Sequence, residues 1–193
     1  MRQTEQRMNR GTVRAANVGT RSRSTSGWFG RAAAIGFVAL GLTAGCGAQN
    51  YAQPPNPCVT SGQADVLAEN LLRLINMERT LEDVDPLAWD DDLAKVAQQY
   101  SCRMIEGRFF GHVDPATKAG PDHRLNVAGY DFIVMGENLA VGQTTAAEVL
   151  DSWMESPSHC DNILSAEWTR IGIGVRADEG GTLHWVLELA DPV

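Results

Sequence analysis

Residues 170–190 constrain the fold more than any other stretch of the chain. Two apolar runs, "RIGIGVRA" and "LHWVLELA", stand on either side of "DEGG". This arrangement predicts an antiparallel hairpin with Gly180 and Gly181 at its turn. In the second run Leu183, Trp185, Leu187 and Leu189 alternate, so one face of the resulting sheet is well buried. Other elements must cover that face, and the residues upstream have the spacing of helices.

Between Asp65 and Arg79 the apolar Leu67, Leu71, Leu74 and Ile75 recur at helical spacing. "LEDVDP" ends this first helix, because a residue before proline is biased out of the helical region. Asp90 is placed to cap a second helix, with Asp91 and Asp92 favourable in its first turn. Leu93, Ala97, Tyr100 and Met104 line its inner face, and Gly107 is its expected stop. "DHRLNVAG" predicts a short helix closed by Gly129, and "GENLAVG" (136–142) predicts a strand. Thr145 and Glu148 form a capping-box pair that opens a helix with Val149, Leu150, Trp153 and Met154 inward. Pro157 ends that helix at Ser156. The order of elements gives an α+β class, with helices packed on an antiparallel sheet.

The first 45 residues read as a leader. Arg21, Arg23 and Arg31 precede the apolar run 32–44, too short for a stable transmembrane helix and suited to a signal-peptide core. "LTAGC" resembles the bacterial lipobox, although Thr43 stands where Leu or Val is usual. That resemblance implies acylation of Cys46, export, and a lipid anchor in a membrane. Residues 46–63, rich in Pro and Asn, read as a tether, and residues 64–193 as the folded domain. The leader holds seven basic residues and one acidic residue, so residues 46–193 keep 9 basic and 23 acidic. Their net charge is −14, against −8 for the whole chain. A polyanion of this kind repels phosphate backbones, which argues against nucleic acid as a partner.

Cys58, Cys102 and Cys160 remain, in an exported context where thiols pair. If the first two helices form an antiparallel hairpin, the residues before the first lie beside the end of the second. That favours a Cys58–Cys102 bridge, with Cys102–Cys160 as the rival.

Six motifs in order carry a family resemblance: "LLRLINMERT", "PLAWDDDLAKVAQQYS", "GRFFGHVDP", "AGYDFIVMGENLAVG", "SWMESPSHCDNIL" and "WTRIGIGV". Together they resemble the CAP superfamily of cysteine-rich secretory, antigen-5 and pathogenesis-related group 1 proteins. The resemblance spans residues 64–190 and implies an α-β-α sandwich with a central antiparallel sheet. It also implies a cleft lined by two histidines and two acids, in which the histidines hold a divalent metal. Carried over motif by motif, "GHVDP" gives His112, "GEN" gives Glu137 and Asn138, and "SPSH" gives His159. The fourth position is Ser156, where many members have Glu. Glu155 is not a replacement, since one helical step turns a side chain by roughly 100°.

Imidazoles suit Zn²⁺ and similar ions, and Glu137 is placed either to activate water or to fix the tautomer of a ligand histidine. The bland reading is a polar cleft in which His112 and His159 bond to Glu137 without metal. His123 is expected in solvent and His184 on the surface. Cys160 beside His159 is not a nucleophilic pair, because adjacent side chains seldom face each other. Two functions follow from the resemblance. One is a binding module whose cleft takes an apolar ligand or a protein partner. The other is a metal-dependent hydrolase built on His112, His159 and Glu137.

Overall fold

The computed structural model describes residues 58–60 and 62–193. The leader, Cys46 and the tether up to residue 57 lie outside the described residues. The domain begins with helix α1 (Ala64–Leu81), a two-residue strand β1 (Ala88–Trp89), helix α2 (Asp91–Gly107) and helix α3 (Pro121–Ala128). Strand β2 (Phe132–Val141), helices α4 (Ala146–Met154) and α5 (Pro157–Leu164), and the hairpin β3 (Arg170–Ala177) and β4 (Leu183–Pro192) complete it.

The strands form one sheet in the order β1-β3-β4-β2. Both long pairings, β3 with β4 and β4 with β2, are antiparallel, and the short β1 runs parallel to β3. Helices cover both faces, so the α-β-α sandwich stands. One face carries Ile171, Ile173, Val175, Trp185, Leu187 and Leu189 against residues of α1, α4 and α5. The other carries Leu139, Val186 and Ala190 against residues of α2 and α3. The sequence expectation of a single well-buried face therefore falls short. Alternation marks the polar-looking side of β4 as exposed, yet α2 lies directly on it.

That approach explains two glycines of "RIGIGVRA". A Cβ at Gly172 would run into the backbone of Ala94, and one at Gly174 into that of Ala97. The sheet and α2 meet backbone to backbone there, which no other residue permits.

Asp90 caps α2 through its side chain, which accepts from the amides of Asp92 and Leu93. The helix runs through Gly107, and the left-handed residue is Arg108 at φ 52°, one position later than expected. Gly129 closes α3 in the left-handed region at φ 76°. The Thr145–Glu148 capping box opens α4. Strand β2 starts at Phe132 rather than Gly136, so Glu137 sits within the strand and not at its entrance. Pro157 stops α4, but it also stands in the first turn of α5, where its missing N–H costs nothing. His159 and Cys160 are thus helical residues, not loop residues.

Cys58 and Cys102 are bridged, with Cα atoms 5.2 Å apart, and Cys160 is free. The bridge ties the segment before α1, which pairs through Val59 with Ala177 of β3, to the late part of α2. Arg79 is buried in α1 and donates to the carbonyls of Asp85, Ile163 and Ser165, joining α1 to the end of α5.

Candidate functional site

Glu137 stands on β2 directly opposite Glu188 on β4, on the face covered by α2 and α3. Placing two carboxyls as cross-strand neighbours is unfavourable unless something compensates. Arg124 of α3 does so. Its Nη2 pairs with Oε2 of Glu137 and lies 3.8 Å from Oε1 of Glu188. Its guanidinium carbon sits 3.3 Å from the ring centroid of Tyr100, a close cation–π contact. Burial pushes the Tyr100 hydroxyl up to about 12, with Arg124 pulling the other way.

The other oxygen of Glu137 belongs to His112. Nδ1 of His112 lies 2.7 Å from Oε1 of Glu137, whose side chain is 1% exposed while that of His112 is 50% exposed. A carboxylate so placed accepts a hydrogen bond from Nδ1–H and fixes the orientation of the half-exposed ring. The loop bearing His112 is pinned at several points. The Tyr100 hydroxyl donates to the Gly111 carbonyl at 2.5 Å, and Arg124 donates to the His112 carbonyl at 3.0 Å. Asp114 accepts from Arg103 and from the amides of Ala116 and Thr117. The hydrogen bond from Arg103 holds the Asp114 carboxyl well below the usual carboxylate range.

His159 reaches the same region from α5. Its backbone carbonyl accepts from Nδ2 of Asn138 at 3.1 Å, and Asn162 donates to Oδ1 of Asn138 at 2.9 Å. Asn138 is fully buried, so it fixes the backbone of His159 instead of lining the cleft. Burial lowers the pKa of the His159 ring, and a charge on His112 lowers it further. The two imidazoles therefore lie within electrostatic reach of each other, and His159 is neutral at pH 7. Ser156 occupies the N-cap position of α5 and makes no capping hydrogen bond. Glu155 is exposed and apart from the cluster.

The structure therefore brings His112 and Glu137 into contact and sets His159 within reach of His112. Sequence reasoning missed Tyr100 as more than core, Arg124, Asn162 and Glu188. Glu188 has a signal of sorts, as an acid within an otherwise apolar strand. Its register opposite Glu137 is not readable from sequence. His123 is exposed as expected, whereas His184 is half-buried with Nδ1 shielded and without a hydrogen-bond partner. Burial lowers its pKa. The expectation of a surface His184 fails for the same reason as the single-faced sheet, since α2 and the segment after it cover that side of β4.

Among the described residues no cluster of three or more His, Cys, Asp or Glu side chains is arranged to hold a metal ion. A catalytic zinc takes three protein ligands and a structural one four. Two imidazoles, with Glu137 engaged by His112 and Arg124, would supply an ion with two protein ligands.

The fold has relatives. A protein of Bacillus subtilis, YkwD, is 36% identical over 117 residues, covering 60% of this chain and 45% of that protein. The chain thus spans under half the length of this relative. An extracellular protein of Bacillus anthracis containing an SCP domain superposes with a TM-score of 0.61 at 26% identity, covering 66% of this chain and 41% of that one. An outer surface protein of Borrelia burgdorferi gives 0.63 at 23% identity, covering 70% and 98%, and that likeness shows the fold alone. The profile of the CAP, or cysteine-rich secretory protein, family matches residues 72–189, and with the sandwich and six ordered motifs it assigns this chain to that family.

Proposed function

We propose that this protein is an exported, membrane-anchored CAP domain that works as a binding module, presenting His112 and His159 to a ligand or partner. The observation that carries this is the double engagement of Glu137. One oxygen takes the His112 ring and the other takes Arg124. A carboxylate with both oxygens occupied and its side chain buried orients a neighbouring imidazole and is badly placed to activate water. This speaks for binding over hydrolysis. Phe110 and Val113, close to His112 in the chain, are both about half-exposed. Exposed apolar side chains on this loop suit contact with an apolar ligand or a protein partner. Export is supported by the likeness to an extracellular protein of Bacillus anthracis, and anchoring at Cys46 by the lipobox-like "LTAGC". No helix among the described residues is long and apolar enough to cross a membrane.

The residues that would hold a divalent ion are His112 and His159, and an ion bound by those two would offer a ligand further coordination. The test is calorimetric titration of Zn²⁺ into the protein and into His112→Ala and His159→Ala. Weak, saturable binding lost in both variants is the expected result. Binding unchanged in either variant would remove the pair from the site. Titration with a panel of apolar ligands, with and without Zn²⁺, then separates the two kinds of ligand.

A further inference from the structure

Glu188 is the residue that the site as described leaves unexplained. It is fully buried, and neither carboxyl oxygen has a hydrogen-bond partner among the described residues. The charged and titratable groups facing it are Glu137 from β2, Arg124 from α3 and Tyr100 from α2. On the remaining side β3 offers Gly172, which brings no charge. Three ionisable groups and one guanidinium thus share a space that balances a single negative charge.

We propose that Glu188 is a positioning residue that controls the His112 loop through Arg124: as the neutral acid it leaves Arg124 to Glu137 and the loop, and on ionising it draws Arg124 to itself. The distances support a contest. Arg124 is bonded to Glu137 and to the His112 carbonyl, and it needs little movement to close the 3.8 Å gap to Glu188. Moving toward Glu188 withdraws the donor from the His112 carbonyl, and the loop loses its link to α3. Burial and the charge of Glu137 raise the Glu188 pKa well above the carboxylate range, against Arg124. The folded state therefore holds a proton that the unfolded chain has already lost. Stability falls as pH rises across that interval. Tyr100 ionises only near pH 12, so it stays neutral through the window.

The inference extends the reading of the cleft by naming what positions His112, and its test does not require that the cleft bind anything. The ¹H–¹⁵N spectrum of the protein is followed from pH 6.5 to pH 10, with Glu188→Gln beside it. The amides of Gly111, His112 and Val113 and the Arg124 Nε–H are expected to shift together in one step as pH rises. In Glu188→Gln, which is neutral at every pH, that step is absent and the neutral-pH spectrum of the loop is retained. The same step in Glu188→Gln, or no step in the native protein by pH 10, would overturn the proposal. So would a Glu188→Gln protein that fails to fold, since a neutral side chain of the same shape must suffice. Loss of Zn²⁺ binding bears only on the cleft, and loss of the alkaline step bears only on Glu188.

Discussion

On one face of β4, Trp185, Leu187 and Leu189 pack among apolar residues of α1, α4 and α5. On the other, Val186 and Ala190 flank the carboxyl of Glu188, which faces a second carboxyl and a guanidinium. The two faces belong to one strand and are equally buried, but they are held together differently. The first relies on removal of apolar surface from water, which is indifferent to direction and to pH. The second relies on a matched set of charges whose balance depends on one proton. Breaking one partner of a buried pair costs more than the pair itself contributes, because the survivor is left unpaired. The apolar face should therefore respond to lost volume and the polar face to lost charge.

The largest effect tests the first half of that contrast. Trp153 is fully buried among the α1, α4 and α5 residues and donates its indole N–H to the Leu139 carbonyl. Trp153→Ala should cost about 3–5 kcal/mol from the cavity and the orphaned carbonyl. Denaturant unfolding at pH 6.5 and pH 9 should give the same loss at both. A loss that changes with pH would show that the two faces are not separable. Arg124→Met tests the second half. It keeps the bulk over Tyr100 but strips Glu137 of its cation, at an expected cost of about 3 kcal/mol. Unlike Trp153→Ala, its cost should grow with pH, because without Arg124 every further ionisation is uncompensated. A pH-independent loss below about 1 kcal/mol would mean the charges contribute little.

The disulfide comes next. Its two cysteines are separated by 44 residues, and a loop of that length gives about 4 kcal/mol in the chain-entropy account, with about 2–4 kcal/mol typical in practice. The paired change Cys58→Ser and Cys102→Ser should lower stability by that amount while the bonds from Tyr100 and Arg103, on either side of Cys102, still hold the His112 loop in place. A shift in the His112 ring resonances would contradict this.

The apolar face was the legible one. Period-two alternation in "LHWVLELA" and helical spacing in α1 and α4 follow directly from which atoms avoid water. The capping box of α4 and the Asp90 cap are local signals, whereas the Cys58–Cys102 bridge was reached through a helical hairpin that the structure does not form, since α1 and α2 lie on opposite faces of the sheet. His112, Glu137 and His159 were legible only through family resemblance, because nothing in their spacing shows which side chains meet. Glu188, Arg124 and Tyr100 were not legible as a group. Their contact depends on strand register and on α2 lying against β3 at Gly172 and Gly174, which are long-range facts. The helical setting of His159 was missed because proline is a stop signal and a start signal alike.

The smallest effect lies at the acid end of the pH scale and separates His159 from the Glu188 network. Burial depresses the pKa of His159 relative to an unfolded imidazole near 6.5. The unfolded chain then binds a proton before the folded one does, so stability is full above the unfolded value and declines as pH falls below it. His159→Gln should flatten the stability profile between pH 7 and pH 5 and leave the alkaline limb alone. Glu188→Gln should do the reverse. Thermal unfolding across both limbs in the native protein and the two variants checks the pair in one series. If His159→Gln altered the alkaline limb, the histidine and the carboxyl pair would be one coupled system, and the division between α5 and the Arg124 cluster would have to be abandoned.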